Sequence, residues 1–176
     1  MFTMRDLNRV MPELKGLSRK PLFSPSKSAI AYKLSKMNSQ YRGRAIEKMV
    51  RNGLLKKHTA DYHGGSYSHD ITLNKKIRVE VKSALAVESF GKNGKAYHSF
   101  SFKHVQLAKF DVLFLVYVTP NGLRVRWMGR ATAREFVSNT KKKASEITIR
   151  TNAGGLQGTH ISKLKLSTKH KRIKAI

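Results

Sequence analysis

The chain has 176 residues, with 36 Lys and Arg against 10 Asp and Glu and a formal net charge of +26. A field of that size opposes the compact state by self-repulsion until an anionic partner neutralises it, and nucleic acid is the partner that fits. The sequence has no cysteine, which excludes a disulfide framework, a cysteine-type zinc site and a thiol nucleophile, and no apolar run of about 18 residues is present to span a bilayer.

The opening M-F-T-M-R-D-L-N-R-V-M-P mixes acids with bases and has no apolar core segment, so it does not read as a secretory signal. An intracellular protein is expected, in the cytoplasm or nucleoid and encoded by a cell or a virus, with no membrane association and no small-molecule cofactor. Residues 1–39 read as a basic N-terminal appendage: Pro12, Gly16, Pro21 and Pro25 interrupt it, Ser24, Ser26 and Ser28 make it loop-like, and 29–37 is a short helix. The globular domain is expected over 40–150, a length that buries one core.

From 41 to 57, Ile46, Met49, Val50 and Leu54 recur at helical spacing, and Gly53 weakens the end. Glu47 borders that stripe. H-G-G-S-Y-S-H, residues 63–69, is too glycine-rich and polar for a regular element. It predicts a loop in which Ser66 or Ser68 contacts a phosphate backbone. Residues 70–73 predict a strand, 74–76 a tight connection, and I-R-V-E-V-K at 77–82 a half-buried strand with Glu80 and Lys82 on one face. The stretch after Ser83, with Gly91, Asn93 and Gly94, predicts a mobile or DNA-facing loop. Residues 112–118 form an almost unbroken apolar strand for the sheet centre. T-P-N-G turns the chain into an alternating strand at 123–128, and 131–137 is a short helix. The last acid is Glu146, so 151–176 reads as a basic tail.

Folding 70–73 back on 77–82 brings Asp70 beside Glu80. Two neighbouring carboxylates repel unless a cation lies between them, and hard oxygen donors suit Mg²⁺, with Mn²⁺ as a substitute. The ammonium of Lys82 on the same face can orient a water and stabilise charge on a phosphoryl oxygen. Blander meanings exist for each residue: a turn aspartate for Asp70, a solvated charge face for Glu80 and Lys82, and an i,i+4 ion pair with Arg51 for Glu47. The scarcity of acids favours the site. His63, His69, His98 and His104 match no zinc or ββα-metal spacing and read as isolated phosphate or solvent contacts, while Trp127, Phe100, Phe102 and Phe110 read as core.

D-I-T-L-N-K-K-I-R-V-E-V-K, Asp70 to Lys82, resembles the signature of the PD-(D/E)XK nuclease superfamily, with His69 in place of the proline. R-G-R-A-I-E-K-M-V at 42–50 resembles the first helix of the archaeal Holliday-junction resolvases within it, and F-K-H-V-Q at 102–106 resembles a glutamine-bearing helix of several members. The resemblance implies an α/β fold with a restriction-endonuclease-like mixed β-sheet flanked by helices. It implies a metal held by Asp70, Glu80 and the carbonyl of Val81, with Glu47 assisting and Lys82 as the catalytic lysine. DNA contacts are then expected from Arg42, Arg44, Arg51, Ser66, Ser68, Lys75, Lys76, Ser83, Lys103 and Gln106. The implied activity is Mg²⁺-dependent hydrolysis of DNA phosphodiesters, on branched DNA and by a homodimer that cuts both strands. A sequence-specific restriction or homing endonuclease, with residues 88–103 and the appendage in the major groove, is the second expectation. A noncatalytic basic nucleic-acid binder is the third.

Overall fold

The computed structural model describes residues 22–55, 58–64, 68–138, 147–152 and 159–160. Ser28 caps helix α1 (Ala29–Lys36) by accepting a hydrogen bond from the Ala31 amide, and Asn38 caps α2 (Ser39–Leu54) through the Tyr41 amide at 2.9 Å. Ile46, Val50 and Leu54 are buried, as their spacing predicts. α1 departs from the expected domain boundary. Its Ala31 and Leu34 are buried in the same core as α2, and Phe23 packs against that core. Two apolar residues three apart suffice to dock an eight-residue helix, and the prolines around 21–25 only punctuate its entry. The globular unit thus begins no later than Leu22 rather than near 40.

Six strands form the main sheet in the order β1-β2-β3-β6-β7-β9: β1 (Ala60–Tyr62), β2 (Ile71–Leu73), β3 (Ile77–Leu85), β6 (Val112–Thr119), β7 (Gly122–Gly129) and β9 (Thr159–His160). β3 and β6 run parallel and every other pair is antiparallel, so this is the mixed sheet of an α/β fold flanked by helices. All eight residues of β6 are buried, because it lies between β3 and β7 with both faces covered. On one face, Ile71, Val79, Val81, Phe114 and Val116 meet α1 and α2. On the other, Leu113, Leu115 and Tyr117 meet Phe100, Phe102 and the helix α3 (Arg130–Ser138). Among the described residues no helix is long and apolar enough to cross a membrane.

The crossover from β3 to β6 corrects two expectations. Where a loop and then a glutamine-bearing helix were expected, the chain forms a hairpin of β4 (Val87–Phe90) and β5 (Ala96–Phe102), joined by β8 (Ile147–Asn152) in a second sheet ordered β4-β5-β8. Gly94, at φ +71°, makes the turn, and Phe100 and Phe102 alternate inward as a strand requires. His104 has φ +57°, which no helix accommodates, and Gln106 caps a single 3-10 turn, Leu107–Lys109. The boundary expected at 150 falls inside β8, and β9 also lies within the expected tail. Residues 1–21 and 161–176 lie outside the described residues.

Phe100 and Phe102 each meet Tyr117 edge-to-face, at ring separations of 5.1 and 5.2 Å, and these contacts fasten the second sheet to the first. Phe102→Ala is expected to cost about 3–5 kcal/mol of folding stability, measured by urea unfolding, because Phe102 is fully buried and its neighbours cannot collapse into the gap.

Candidate active site

Asn74 and Lys75 take φ of 51° and 59°, the paired positive values that turn one strand tightly into its neighbour. β2 and β3 pair with Ile71 opposite Val79, and one further step of that register sets Asp70 opposite Glu80. The Asp70 amide donates to the Val79 carbonyl at 3.1 Å, and Asp70 Oδ2 accepts the Val81 amide at 2.7 Å. The aspartate is thereby anchored to the strand that carries Glu80. Lys82 Nζ lies 2.5 Å from Glu80 Oε1, and Glu80 is only 9 % exposed. The three residues singled out in the sequence therefore meet.

Their electrostatics are unbalanced. Burial, and after it the charge of Glu80, pushes the Asp70 carboxyl up to about 7; Glu47 adds to the push, while the Val81 amide and Lys82 oppose it. The sign of the linkage follows. Asp70 is protonated in both states below its unfolded value of 3.8, and stability falls as pH rises from there to about 7, the window in which only the folded state keeps the proton. Asp70→Asn, which keeps an acceptor for the Val81 amide, is expected to be more stable than the parent at pH 8 in EDTA, by an amount on the order of 3 kcal/mol. The gain should vanish at pH 4, and thermal melts at the two pH values check it.

β3 runs on past the end of the three-residue β2, and along that bare edge a cleft of 680 Å³ opens. The first half of α2 lines it with Ser39, Gln40, Arg42, Gly43, Arg44 and Glu47. Asp70, Val81, Lys82 and Ser83 line it from the hairpin, and Val87, Ser101, Lys103 and His104 from the second sheet and the segment after it. Gly43 lies against Glu47: a Cβ there would sit 3.8 Å from Glu47 Oε1, an ordinary contact. Arg42 donates through Nη1 to the Met37 carbonyl, and its Nε is buried without a hydrogen-bond partner among the described residues. Burial lowers its pKa.

Glu47 accepts a hydrogen bond from the Tyr62 hydroxyl at 2.9 Å. The blander reading of Glu47, an ion pair with Arg51, gives way to this bond, and Arg51 Nε donates to the Ala60 carbonyl. Burial, then the bond to Glu47, pushes Tyr62 up to about 12, so its hydroxyl remains a donor. Sequence spacing did not reveal Tyr62, because β1 is only three residues long and carries no pattern. Arg51 lines a separate depression with Lys48, Asn52, Asp61 and Tyr62. Lys75 and Lys76 are exposed at the turn, at the far end of the hairpin from Asp70 and Glu80. Gln106 is exposed beside the 3-10 turn, Ser68 bonds His69 Nδ1 at 3.1 Å, and Ser66 lies outside the described residues.

His63 and His69 are not isolated, contrary to expectation. Thr72 Oγ1 lies 2.6 Å from His63 Nε2 and 2.8 Å from His69 Nε2, and the two rings meet at 79°. Burial, then His63, lowers the pKa of His69. Asp111, a second residue that sequence reading missed, accepts from the Arg78 amide and guanidinium and from Arg130, tying β3 to the end of β7. Those bonds hold its pKa below the usual carboxylate value despite its burial. Among the described residues no three of His, Asp and Glu gather into a ready-made metal cage.

No protein-family model matches the chain, and neither does any curated protein. Among solved structures the chain is similar to that of a bacterial homing endonuclease, at 14 % identity over 71 % of this chain and 86 % of that chain, with a TM-score of 0.42.

Proposed function

We propose that this chain is a divalent-metal-dependent endonuclease acting on DNA. One observation carries the reading: a cross-strand carboxyl pair, Asp70 opposite the buried Glu80, with Lys82 bonded to Glu80, where Asp70 and Lys82 line a cleft whose other charged side chains are mostly cationic. The donor chemistry fits a hard divalent cation. Two carboxyls face one ammonium, and Asp70 is hard to ionise because it is buried and the Glu80 charge lies beside it. Asp70 and Glu80 would hold the ion, with the Val81 carbonyl in reserve and Glu47 near enough to feel Asp70. With no three-residue cage among the described residues, the remaining positions would fall to water and to the phosphate itself.

A bound Mg²⁺ supplies Lewis-acid polarisation of the phosphoryl oxygen. Asp70 and Lys82 line the cleft where the scissile phosphate rests, with Glu80 buried behind Lys82. Lys82, drawn to Glu80, orients the attacking water and donates to the charge that builds on phosphorus-bound oxygen. Arg42, Arg44 and Lys103 grip flanking phosphates from the two walls, and Tyr62 holds Glu47 in one rotamer toward the floor.

The deciding experiment incubates the purified full chain with an end-labelled four-way junction and a linear duplex, in Mg²⁺ and in EDTA. Cutting in Mg²⁺ and none in EDTA is the expected result. Cutting confined to the junction favours branched DNA as the substrate, and cutting of the duplex favours the sequence-reading class. Tight binding of both DNAs with no cutting overturns the nuclease in favour of a binding protein.

A further inference from the structure

The second sheet presents two faces of opposite character. Phe100 and Phe102 point into the core with Tyr117. Strand alternation therefore turns Tyr97, Ser99 and Ser101 to the opposite face, and the register of β4 on β5 sets Val87 opposite Ser99 and Ser89 opposite Tyr97 on that same side. Val87 and Ser101 line the active-site cleft, so this face continues the cleft wall outward along the hairpin. Val87 is 57 % exposed, and Ser89, Tyr97 and Ser99 are half-buried.

The composition of the face is unusual in this chain. The chain holds 36 Lys and Arg against 10 Asp and Glu, and these cations grip phosphate and carry no sequence information. Here β4 and β5 bring three serines, a tyrosine and a valine together, and the register of β8 sets Arg150, a residue type that reads guanine, opposite Ser99. Hydroxyls that both donate and accept, next to an apolar group able to meet a thymine methyl, are the chemistry that reads base edges in the major groove. The Ser99 hydroxyl reaches the Val87 carbonyl only at 3.5 Å, too far to commit it. At the tip Lys92 and Lys95 are exposed, and at the cleft end Lys103 is exposed, so cations stand at both ends of the β4–β5 face. That arrangement matches a groove floor of bases between two phosphate strands.

We propose that the Val87–Ser89–Tyr97–Ser99–Ser101 face is a base-reading surface, laid in the major groove of duplex DNA next to the scissile phosphate. The proposal rests on the nuclease reading for its substrate and narrows that substrate to particular duplex sequences. Ser101 and Tyr97 are four strand residues apart, about 14 Å, which spans roughly four base steps. The recognised bases therefore lie within about five base pairs of the cut, on one side of it.

The test uses the full chain and a duplex pool with a randomised central segment. Bound duplexes are recovered in EDTA and sequenced for the parent, for Tyr97→Phe and for the Ser89→Ala/Tyr97→Phe pair, and the same pool is cut in Mg²⁺ to map the cleavage point. Thermal melts of each variant establish that it is folded, and Tyr97→Phe removes a single oxygen. The parent is expected to enrich a short motif, and each variant to lose about ten-fold of that enrichment at one or two positions near the cut. The same motif in the variants as in the parent overturns the proposal. No motif from a parent that binds and cuts the pool also overturns it while leaving the nuclease standing. A motif that the variants weaken, with no cutting by any protein, supports the reading surface and overturns the nuclease.

Discussion

Glu80→Gln and Lys82→Ala are each expected to slow DNA cleavage in Mg²⁺ by about 10³-fold or more, the scale on which removing a group that meets only the transition state acts. The two act through one bond, since Lys82 Nζ lies 2.5 Å from Glu80 Oε1. Glutamine at 80 keeps a neutral acceptor for Lys82 but removes the charge that holds a cation and fixes the ammonium. Alanine at 82 leaves Glu80 buried opposite Asp70 without its counter-charge. The double variant should therefore lose little more than either single one, because both remove the same unit. Duplex binding in EDTA separates this from misfolding: Glu80→Gln should bind as tightly as the parent or more tightly, having shed an anion from the face that meets phosphate. Wild-type cutting rates in either variant would overturn the site. Loss of binding together with cutting would point to a structural role for the pair.

The core of this site could be read from the sequence because its information is local. Asp70, the turn and the E-V-K strand lie within thirteen residues, and a period of two fixes which side chains share a face. β6 was legible for a related reason: an apolar run with no polar alternation suits a strand covered on both sides. What escaped depends on contacts distant in sequence. Tyr62 reaches Glu47 across 15 residues, and Asp111 reaches Arg78 across 33; neither spacing repeats or belongs to a motif. The β4–β5 hairpin was hidden by its turn, because Gly91 to Lys95 reads as a loop and a resemblance to a glutamine-bearing helix outweighed the alternation of Phe100 and Phe102. α1 was assigned to an appendage because prolines precede it, although Ala31 and Leu34 already carried its packing face.

Affinity for duplex DNA is expected to fall by about 10³-fold or more between 50 and 200 mM salt, since each phosphate neutralised releases counterions and steepens the log–log slope by about 0.9. The slope also locates the cations that bind. Arg42, Arg44, Lys82 and Lys103 line the cleft, and a grip confined to them gives a slope no steeper than about −4. A net charge of +26 predicts a steeper one, with surfaces beyond the cleft supplying the difference. Residues 161–176 hold six Lys and Arg and no acid, so a variant ending at residue 160 should have a slope shallower by up to about 5. Its cutting rate at saturating protein should stay near that of the full chain, because Asp70, Glu80, Lys82 and the partners described for them all precede residue 161. A full-chain slope of −4 or shallower, measured by fluorescence anisotropy across that salt range, would assign the whole grip to the cleft. An unchanged slope on truncation would remove the tail from the interface.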